Sequence, residues 1–135
     1  MVSPPTILVI DDDPDIRSDL QMLLQERGYR VLTANDGQAG LQRAVADMPD
    51  LVILDMMMPK MSGIMVVERF KQQSKRPVPV IMLTGNESEH QRTLAEFMGV
   101  DAYLNKPIGM RQLLDRLQRL CPHSATPPVP AVAIV

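Results

Sequence analysis

The chain of 135 residues has few of the features that mark secreted or membrane-spanning proteins. Its only cysteine, Cys121, cannot form an internal disulfide, and the opening MVSPPTILVIDDD lacks the basic flank and long apolar core of a signal peptide. No apolar run approaches the roughly 20 residues that span a bilayer. We therefore expect a cytoplasmic protein without a membrane partner.

An excess of charge of either sign is also missing. The formal net charge is −2, and no basic stripe is present, so we do not expect direct nucleic-acid binding. Aromatic residues make up only 3% of the chain, but 45% of it is hydrophobic and 22% charged, as is ordinary for one globular domain. We predict this domain over residues 1–121.

The last 14 residues differ in composition from the rest. They read PHSATPPVPAVAIV, in which prolines are too frequent for a helix. Residues 122–135 are therefore predicted to form a disordered tail, or a linker to an output domain if the natural chain continues.

Short apolar runs alternate with amphipathic stretches five times along the remaining chain. Strand followed by helix, with about 20 to 30 residues per unit and right-handed crossovers, predicts an α/β fold. Its core is a doubly wound, five-stranded parallel sheet with helices on both faces. The predicted strands are Ile7 to Ile10, Arg30 to Ala34, Leu51 to Leu54, Val78 to Leu83 and Asp101 to Leu104.

Capping residues mark several helix boundaries. Side-chain caps are predicted at Asp13 and Ser62, the turn formed by Asn35, Asp36 and Gly37 can also cap a helix, and the first helix should end at Gly28. The fourth helix is weakly amphipathic. It is predicted over Glu87 to Met98, with Leu94, Ala95 and Met98 on its buried side and Gly99 after its end.

Polar side chains lie at the ends of four predicted strands. Asp11 and Asp12 follow the first strand, Asp55 the third, Thr84 the fourth and Lys106 the fifth. Since the carboxyl ends of parallel strands share one edge of the sheet, we expect these groups to converge. Crowded carboxylates need a cation, and oxygen ligands suit Mg²⁺ or Mn²⁺. With the ammonium and hydroxyl groups, the set predicts a site that moves a phosphoryl group onto a carboxylate.

Each of these residues also has a simpler interpretation. The acids can be helix caps or turn formers, Thr84 a strand-end residue and Lys106 a solvated charge. Those interpretations require independent coincidences at four strand ends, so we favour a shared site. Asp13 is the exception, because an acid before a proline is a typical helix start.

Four segments in succession resemble the signatures of bacterial response-regulator receiver domains. They are ILVIDDDPDIR, PDLVILDMMMPKMSG, VIMLTGN and GVDAYLNKP, and the resemblance covers roughly Thr6 to Leu120. It implies a flavodoxin-like (βα)5 fold and a phosphorylatable signalling domain. Such a domain accepts a phosphoryl group from a sensor histidine kinase or phosphotransfer protein and catalyses only its own phosphotransfer and slow dephosphorylation.

The resemblance also implies roles for single residues. Asp55 would be the phosphoacceptor, and Asp11, Asp12, Asp55 and the backbone carbonyl of Met57 would bind Mg²⁺. Met57 and Asn86 are small departures from the family pattern. The resemblance implies that both positions vary in the family and tune the lifetime of the phosphoryl group.

A switch is implied as well. Thr84 and Lys106 would contact the phosphoryl group, Tyr103 would be the aromatic switch residue, and the bond before Pro107 would be cis. The output face would comprise the fourth helix, fifth strand and fifth helix. It would engage a downstream protein, an output domain or a second copy in a phosphorylation-dependent homodimer. One further departure from the family pattern is Met65 in the third helix, at a position where family members usually have a polar residue.

Two alternatives remain open at this point. A haloacid-dehalogenase-like phosphatase would use Asp11 as nucleophile with Asp13 two residues later, plus a threonine and a lysine. It leaves Asp55 unexplained and needs an acidic pair after Lys106, where only Asp115 is acidic. A receiver used only for docking is the other alternative, which the complete set of acids disfavours.

Overall fold

Strand and helix alternate five times in the computed structural model, which describes residues 3–85 and 89–122. The strands are β1 (Thr6–Ile10), β2 (Arg30–Ala34), β3 (Leu51–Asp55), β4 (Val80–Thr84) and β5 (Ala102–Asn105). The helices are α1 (Pro14–Glu26), α2 (Gly37–Asp47), α3 (Gly63–Gln73), α4 (Glu89–Phe97) and α5 (Met110–Leu120). Residues 123–135 of the predicted tail lie outside the described residues.

All neighbouring strands are parallel, and they lie in the order β2-β1-β3-β4-β5. The strand order reverses beside β1, so helices cover both faces and the sheet is doubly wound, as in flavodoxin-like folds. The predicted fold class is confirmed. Among the helices that the structure describes, none combines the length and apolar character required to span a bilayer.

Side chains alternate between two cores along each strand. On one face, Leu8, Val52 and Met82 pack with residues of α2, α3 and α4. On the other face, Val9 and Ile53 pack with residues of α1 and α5. Both faces of β3 and β4 are therefore buried, which explains their continuous apolar runs.

The predicted caps are present. Asp13 Oδ1 accepts a hydrogen bond from the backbone N–H of Asp15 at 2.9 Å, at the start of α1. The side chains of Asp36 and Ser62 cap α2 and α3 in the same way. Gly28 has φ 90° and Gly99 has φ 95°, so both end their helices in the left-handed region that favours glycine.

Two strands begin later than predicted. Val78 and Pro79 precede β4, because Pro79 has no N–H to donate to a neighbouring strand. The carbonyl of Pro79 still accepts a hydrogen bond from Val52 N at 3.0 Å. Asp101 precedes β5, and its carboxylate accepts a hydrogen bond from Val80 N at 2.8 Å. The hydrogen bonds of Pro79 and Asp101 therefore mark where β4 and β5 begin.

The prediction for α4 was wrong in part. The described helix ends at Phe97, and the predicted start at Glu87 lies outside the described residues. Leu94, predicted to be buried, is 40% exposed, and only Ala95 of α4 is buried. Phe97 is 85% exposed. Ala95 joins the hydrophobic core, and Met98, just after the helix, is partly buried against it, so the predicted buried side holds for these two residues.

Candidate functional site

Three carboxylates meet at the carboxyl edge of the sheet. Asp11 and Asp12 directly follow β1, Asp55 ends β3, and the two strands are paired through Ile10 and Leu54. One oxygen from each carboxylate lies within 4.8 Å of the others. Asp11 and Asp55 are buried, whereas Asp12 is exposed. The predicted convergence of the three acids is therefore observed.

Lys106 lies between the two buried carboxylates. Its Nζ is 3.1 Å from Asp11 Oδ2 and 3.2 Å from Asp55 Oδ1. Burial alone would lower the pKa of Lys106, but its close pairing with the two carboxylates outweighs burial and raises that pKa. Its backbone N–H donates to the carbonyl of Thr84 at 2.7 Å, and its bond to Pro107 is cis, as the resemblance implied.

The pKa of Asp55 is raised to about 6. Burial is the largest cause, and the nearby charge of Asp11 adds to it, while Lys106 acts in the opposite direction. One ammonium therefore does not balance the negative charge of this edge. A further cation would lower the free energy of the fully ionised site.

The hydrogen bonds of the Asp11 carboxylate indicate whether a metal ion fits at this site. Asp11 Oδ1 accepts a hydrogen bond from Asp13 N at 2.9 Å. Asp11 Oδ2 is buried and pairs with Lys106, but it accepts no hydrogen bond of suitable geometry from any residue in the described part of the chain. Its free lone pair, with an all-oxygen donor set, fits a small divalent cation such as Mg²⁺ or Mn²⁺.

Thr84 and Tyr103 lie on neighbouring strands beside this cluster. Thr84 is 1% exposed and ends β4, in register with Asn105 of β5, and Tyr103 lies two residues earlier beside Met82. The register directs Thr84 and Tyr103 to the same face of the sheet. The Tyr103 hydroxyl is buried, and the Arg92 guanidinium carbon is 5.4 Å from the centre of the ring.

A tight loop follows Asp55. Met56 is buried, its N–H donates to Leu83 O and its carbonyl accepts from Gly63 N, both at 2.8 Å. A Cβ atom at Gly63 would be 2.5 Å from the Asp55 carbonyl oxygen, so α3 begins directly against the strand end. Met57, in contrast, is 62% exposed and lies at the rim of the site. Asn86 lies outside the described residues.

Sequence reasoning did not select Arg17. This residue is the only basic side chain in α1, and its Nη1 donates to the carbonyl oxygen of Asp11 at 2.7 Å. Its position one turn after the cap at Asp13 could have indicated that it lies near the site, because that turn faces the end of β1. Spacing alone did not show which atom the guanidinium contacts.

Residues 7–118 match the family model described as the response regulator receiver domain. The chain belongs to this family. Among its relatives is the alkaline phosphatase synthesis transcriptional regulatory protein PhoP of Bacillus subtilis, 40% identical over 114 residues, which are 84% of this chain and 47% of PhoP. The transcriptional regulatory protein CpxR of Escherichia coli is also 40% identical over 114 residues, 84% of this chain and 48% of CpxR.

Solved receiver structures agree with this assignment. The chemotaxis protein CheY4 of Vibrio cholerae superposes with a TM-score of 0.81 at 34% identity, covering 87% of this chain and 98% of CheY4. This chain spans about half the length of the curated relatives that it matches. It is a receiver domain of the two-component type, so the predicted family and function class are confirmed, whereas the roles of single residues remain predictions.

Proposed function

We propose that this receiver domain takes a phosphoryl group onto Asp55 from the phosphohistidine of a sensor histidine kinase or a phosphotransfer protein. One observation carries the proposal: the Asp55 carboxylate ends β3 within a cluster of three acids, with the Lys106 ammonium at 3.2 Å. A carboxylate held beside an ammonium is a nucleophile with its charge partner already in place.

The transfer itself is a displacement at phosphorus. An oxygen of Asp55 forms the new P–O bond as the N–P bond of the donor breaks, and the bonding pair stays with the imidazole, which takes a proton from solvent. Lys106 balances charge on the acceptor carboxylate and the phosphoryl oxygens, and the Thr84 hydroxyl donates to one of those oxygens. Positioning and charge balance are therefore the contributions of this chain.

The residues proposed to hold Mg²⁺, or Mn²⁺, are Asp11, Asp12, Asp55 and the backbone carbonyl of Met57. The crowding of the first three carboxylates and the open lone pair of Asp11 Oδ2 support this set. When bound, the ion supplies charge neutralisation for the phosphoryl oxygens. The carboxylates must be ionised to serve as ligands, so binding depends on pH.

The proposed output is a two-state switch. Thr84 follows the phosphoryl oxygen, Tyr103 turns inward, and the face formed by α4, β5 and α5 changes. That face would engage a downstream protein, an output domain or a second copy of the chain, in the cytoplasm. PhoP and CpxR are named transcriptional regulatory proteins and are about twice as long as the matched region, which supports an output domain beyond a receiver at residues 1–121.

Neither alternative from the sequence gains support. The Asp13 carboxylate, which the phosphatase mechanism would use, caps α1. Asp115 pairs with Arg116 and Arg119 on the surface of α5, so it supplies no second acidic pair at the site. A domain used only for docking would not need Asp55 and Lys106 in contact.

Phosphorylation with acetyl phosphate and Mg²⁺, followed by intact mass, tests the proposal. The unmodified protein should gain one hydroxylamine-sensitive phosphoryl group, Asp55→Asn none, and Asp12→Ala little, because a metal ligand is lost. Asp13→Asn is the matched control, since Asp13 serves a helix cap. If Asp55→Asn still hydrolysed a phosphomonoester and Asp11→Asn did not, the phosphatase alternative would be correct.

A further inference from the structure

Asp11 is anchored at every polar atom it has. Its N–H donates to Ala34 O at 3.2 Å, its Oδ1 accepts from Asp13 N at 2.9 Å, and its Oδ2 pairs with Lys106 at 3.1 Å. The fourth anchor is Arg17, whose Nη1 donates to the Asp11 carbonyl oxygen at 2.7 Å. This bond is short and charge-assisted, so it is among the stronger contacts of the β1–α1 loop.

The Asp11 carbonyl belongs to the peptide that joins two of the three acids. A peptide unit is planar, so a group that fixes its oxygen also fixes the direction in which the chain enters Asp12. Asp12 is exposed, and packing therefore does little to hold it. The bond from the Arg17 guanidinium therefore restrains this peptide where packing does not.

We propose that Arg17 is a positioning residue for the divalent-cation site, acting through the Asp11 carbonyl to hold Asp11 and Asp12 in ligating geometry. The inference rests on the proposed function, because it assumes that these acids bind Mg²⁺. Groups that orient metal ligands without touching the metal are commonly needed for affinity.

A purely electrostatic role for Arg17 makes the opposite prediction. Its guanidinium is a positive charge next to the acids, and a positive charge there repels Mg²⁺. Removing the charge alone would therefore tighten Mg²⁺ binding. If Arg17 orients the ligands, removing it weakens binding despite the lost repulsion, so the sign of the change separates the two roles.

Arg43 offers a matched control. It lines the same surface cleft as Arg17, and its Nη1 donates to a backbone carbonyl, that of Thr33, at 3.1 Å. Thr33 lies in β2, paired with Val9 of β1, and is not among the residues proposed to hold the cation. Arg43→Ala therefore makes the same change of charge and loses a bond to a backbone carbonyl without releasing the Asp11 peptide, and it additionally loses the surface ion pair with Asp47 at 3.3 Å.

The test is the Mg²⁺ dissociation constant of the full chain, measured by calorimetry, with Mn²⁺ electron paramagnetic resonance as a second readout. We expect Arg17→Ala to weaken binding roughly tenfold, as for other residues that orient metal ligands. Arg17→Lys should recover most of this loss, since its ammonium retains the charge and a donor. Arg43→Ala should leave the constant unchanged or slightly lower.

Unchanged or tighter Mg²⁺ binding by Arg17→Ala overturns the inference, as does an equal loss in Arg43→Ala. Urea unfolding without metal is measured for each variant. If Arg17→Ala does not fold, Arg17→Met takes its place, because it retains an apolar stem and lacks charge and donors. If the unmodified protein bound no Mg²⁺, both the proposed function and this inference would fail. If the unmodified protein bound Mg²⁺ and Arg17→Ala bound it equally well, the inference would fail while the proposed function would stand.

Discussion

At the scale of single residues, Asp55 carries an electrostatic conflict that suits an acceptor. Burial and the charge of Asp11 disfavour its ionised form, while Lys106 at 3.2 Å favours it. The ionised form would be the nucleophile in the proposed transfer, and this form costs stability in the absence of a second cation. The cost should appear in the pH dependence of folding.

The pKa of Asp55 is about 6 in the folded protein against an ordinary 3.8, so the folded state binds this proton more tightly than the unfolded chain. Between these values, rising pH therefore lowers the free energy of unfolding, and the loss persists at higher pH. In EDTA, Asp55→Asn should be more stable than the unmodified protein at pH 7, by up to about 3 kcal/mol. At pH 3.5 the difference should nearly vanish.

Urea unfolding of both proteins at the two pH values measures this difference. Asp13→Asn is the control, because Asp13 lies at the surface as a helix cap rather than in the buried cluster. A stability difference for Asp55→Asn that does not depend on pH, or that favours the unmodified protein at pH 7, would contradict the assigned cause.

A second prediction at the residue scale concerns Met57 and the lifetime of the phosphoryl group. Hydrolysis requires a water held behind the phosphorus, and a polar side chain at this exposed rim position can hold it by a hydrogen bond. A thioether accepts only weakly. Met57→Asn should therefore lose phosphate several-fold faster, as about 1 kcal/mol from one hydrogen bond implies.

Phosphate release after removal of the donor measures the rate. Met65→Asn provides the comparison, because Met65 is also a partly exposed methionine, but on α3 rather than directly after Asp55. Equal or slower release by Met57→Asn would show that Met57 does not restrain the water.

At the scale of elements, the start of α3 shapes the loop that presents Asp55. A Cβ atom at Gly63 would lie 2.5 Å from the Asp55 carbonyl oxygen and 2.9 Å from Met56 Cα, both in the backbone. Gly63→Ala should therefore shift α3 away from β3. We expect a destabilisation of about 1–3 kcal/mol, typical of overpacking, together with slower phosphorylation.

Gly85→Ala is the matched control for stability, since a Cβ atom there would meet nothing within 4 Å. Thermal unfolding of both variants without metal compares them. Equal stability of Gly63→Ala and the unmodified protein would mean that this close approach does not fix the loop.

Prediction from sequence succeeded where local chemistry and burial agree. The strands β1 and β3 are apolar because both of their faces are buried, and the caps Asp13, Asp36 and Ser62 precede regular helices. The acid cluster was predictable because parallel strands end at one edge. Periodicity failed for Leu94, because Ala95 is the one residue of the described α4 that is buried, and no pattern showed that Arg17 reaches the Asp11 carbonyl.

At the scale of the whole molecule, the proposed switch couples the carboxyl edge of the sheet to the face formed by α4, β5 and α5. β4 connects them, because it ends in Thr84 at the acid cluster and pairs with β5, which carries Tyr103. In the proposed switch, a change at the phosphoryl group would reach the face formed by α4, β5 and α5 through these adjacent strands. The covalent charge would be the ligand that biases the two states.

Thr84→Ala tests this coupling. The variant should still accept a phosphoryl group at Asp55, but the Tyr103 ring should not move, because the hydroxyl that follows the phosphoryl oxygen is gone. Ring resonances of Tyr103 with and without beryllium fluoride and Mg²⁺ report the movement. Tyr29 is the internal reference, since it is buried and its hydroxyl donates to Cys121 O at 3.2 Å. The same Tyr103 shift in Thr84→Ala as in the unmodified protein would refute the coupling.

The central claim is that Asp55, rather than Asp11, receives the phosphoryl group. Borohydride reduces an aspartyl phosphate to homoserine, so treatment after phosphorylation with acetyl phosphate and Mg²⁺ marks the acceptor for peptide mass mapping. We expect homoserine at position 55 and aspartate at position 11. Homoserine at position 11, or at no position despite a gain of phosphoryl mass, would contradict it.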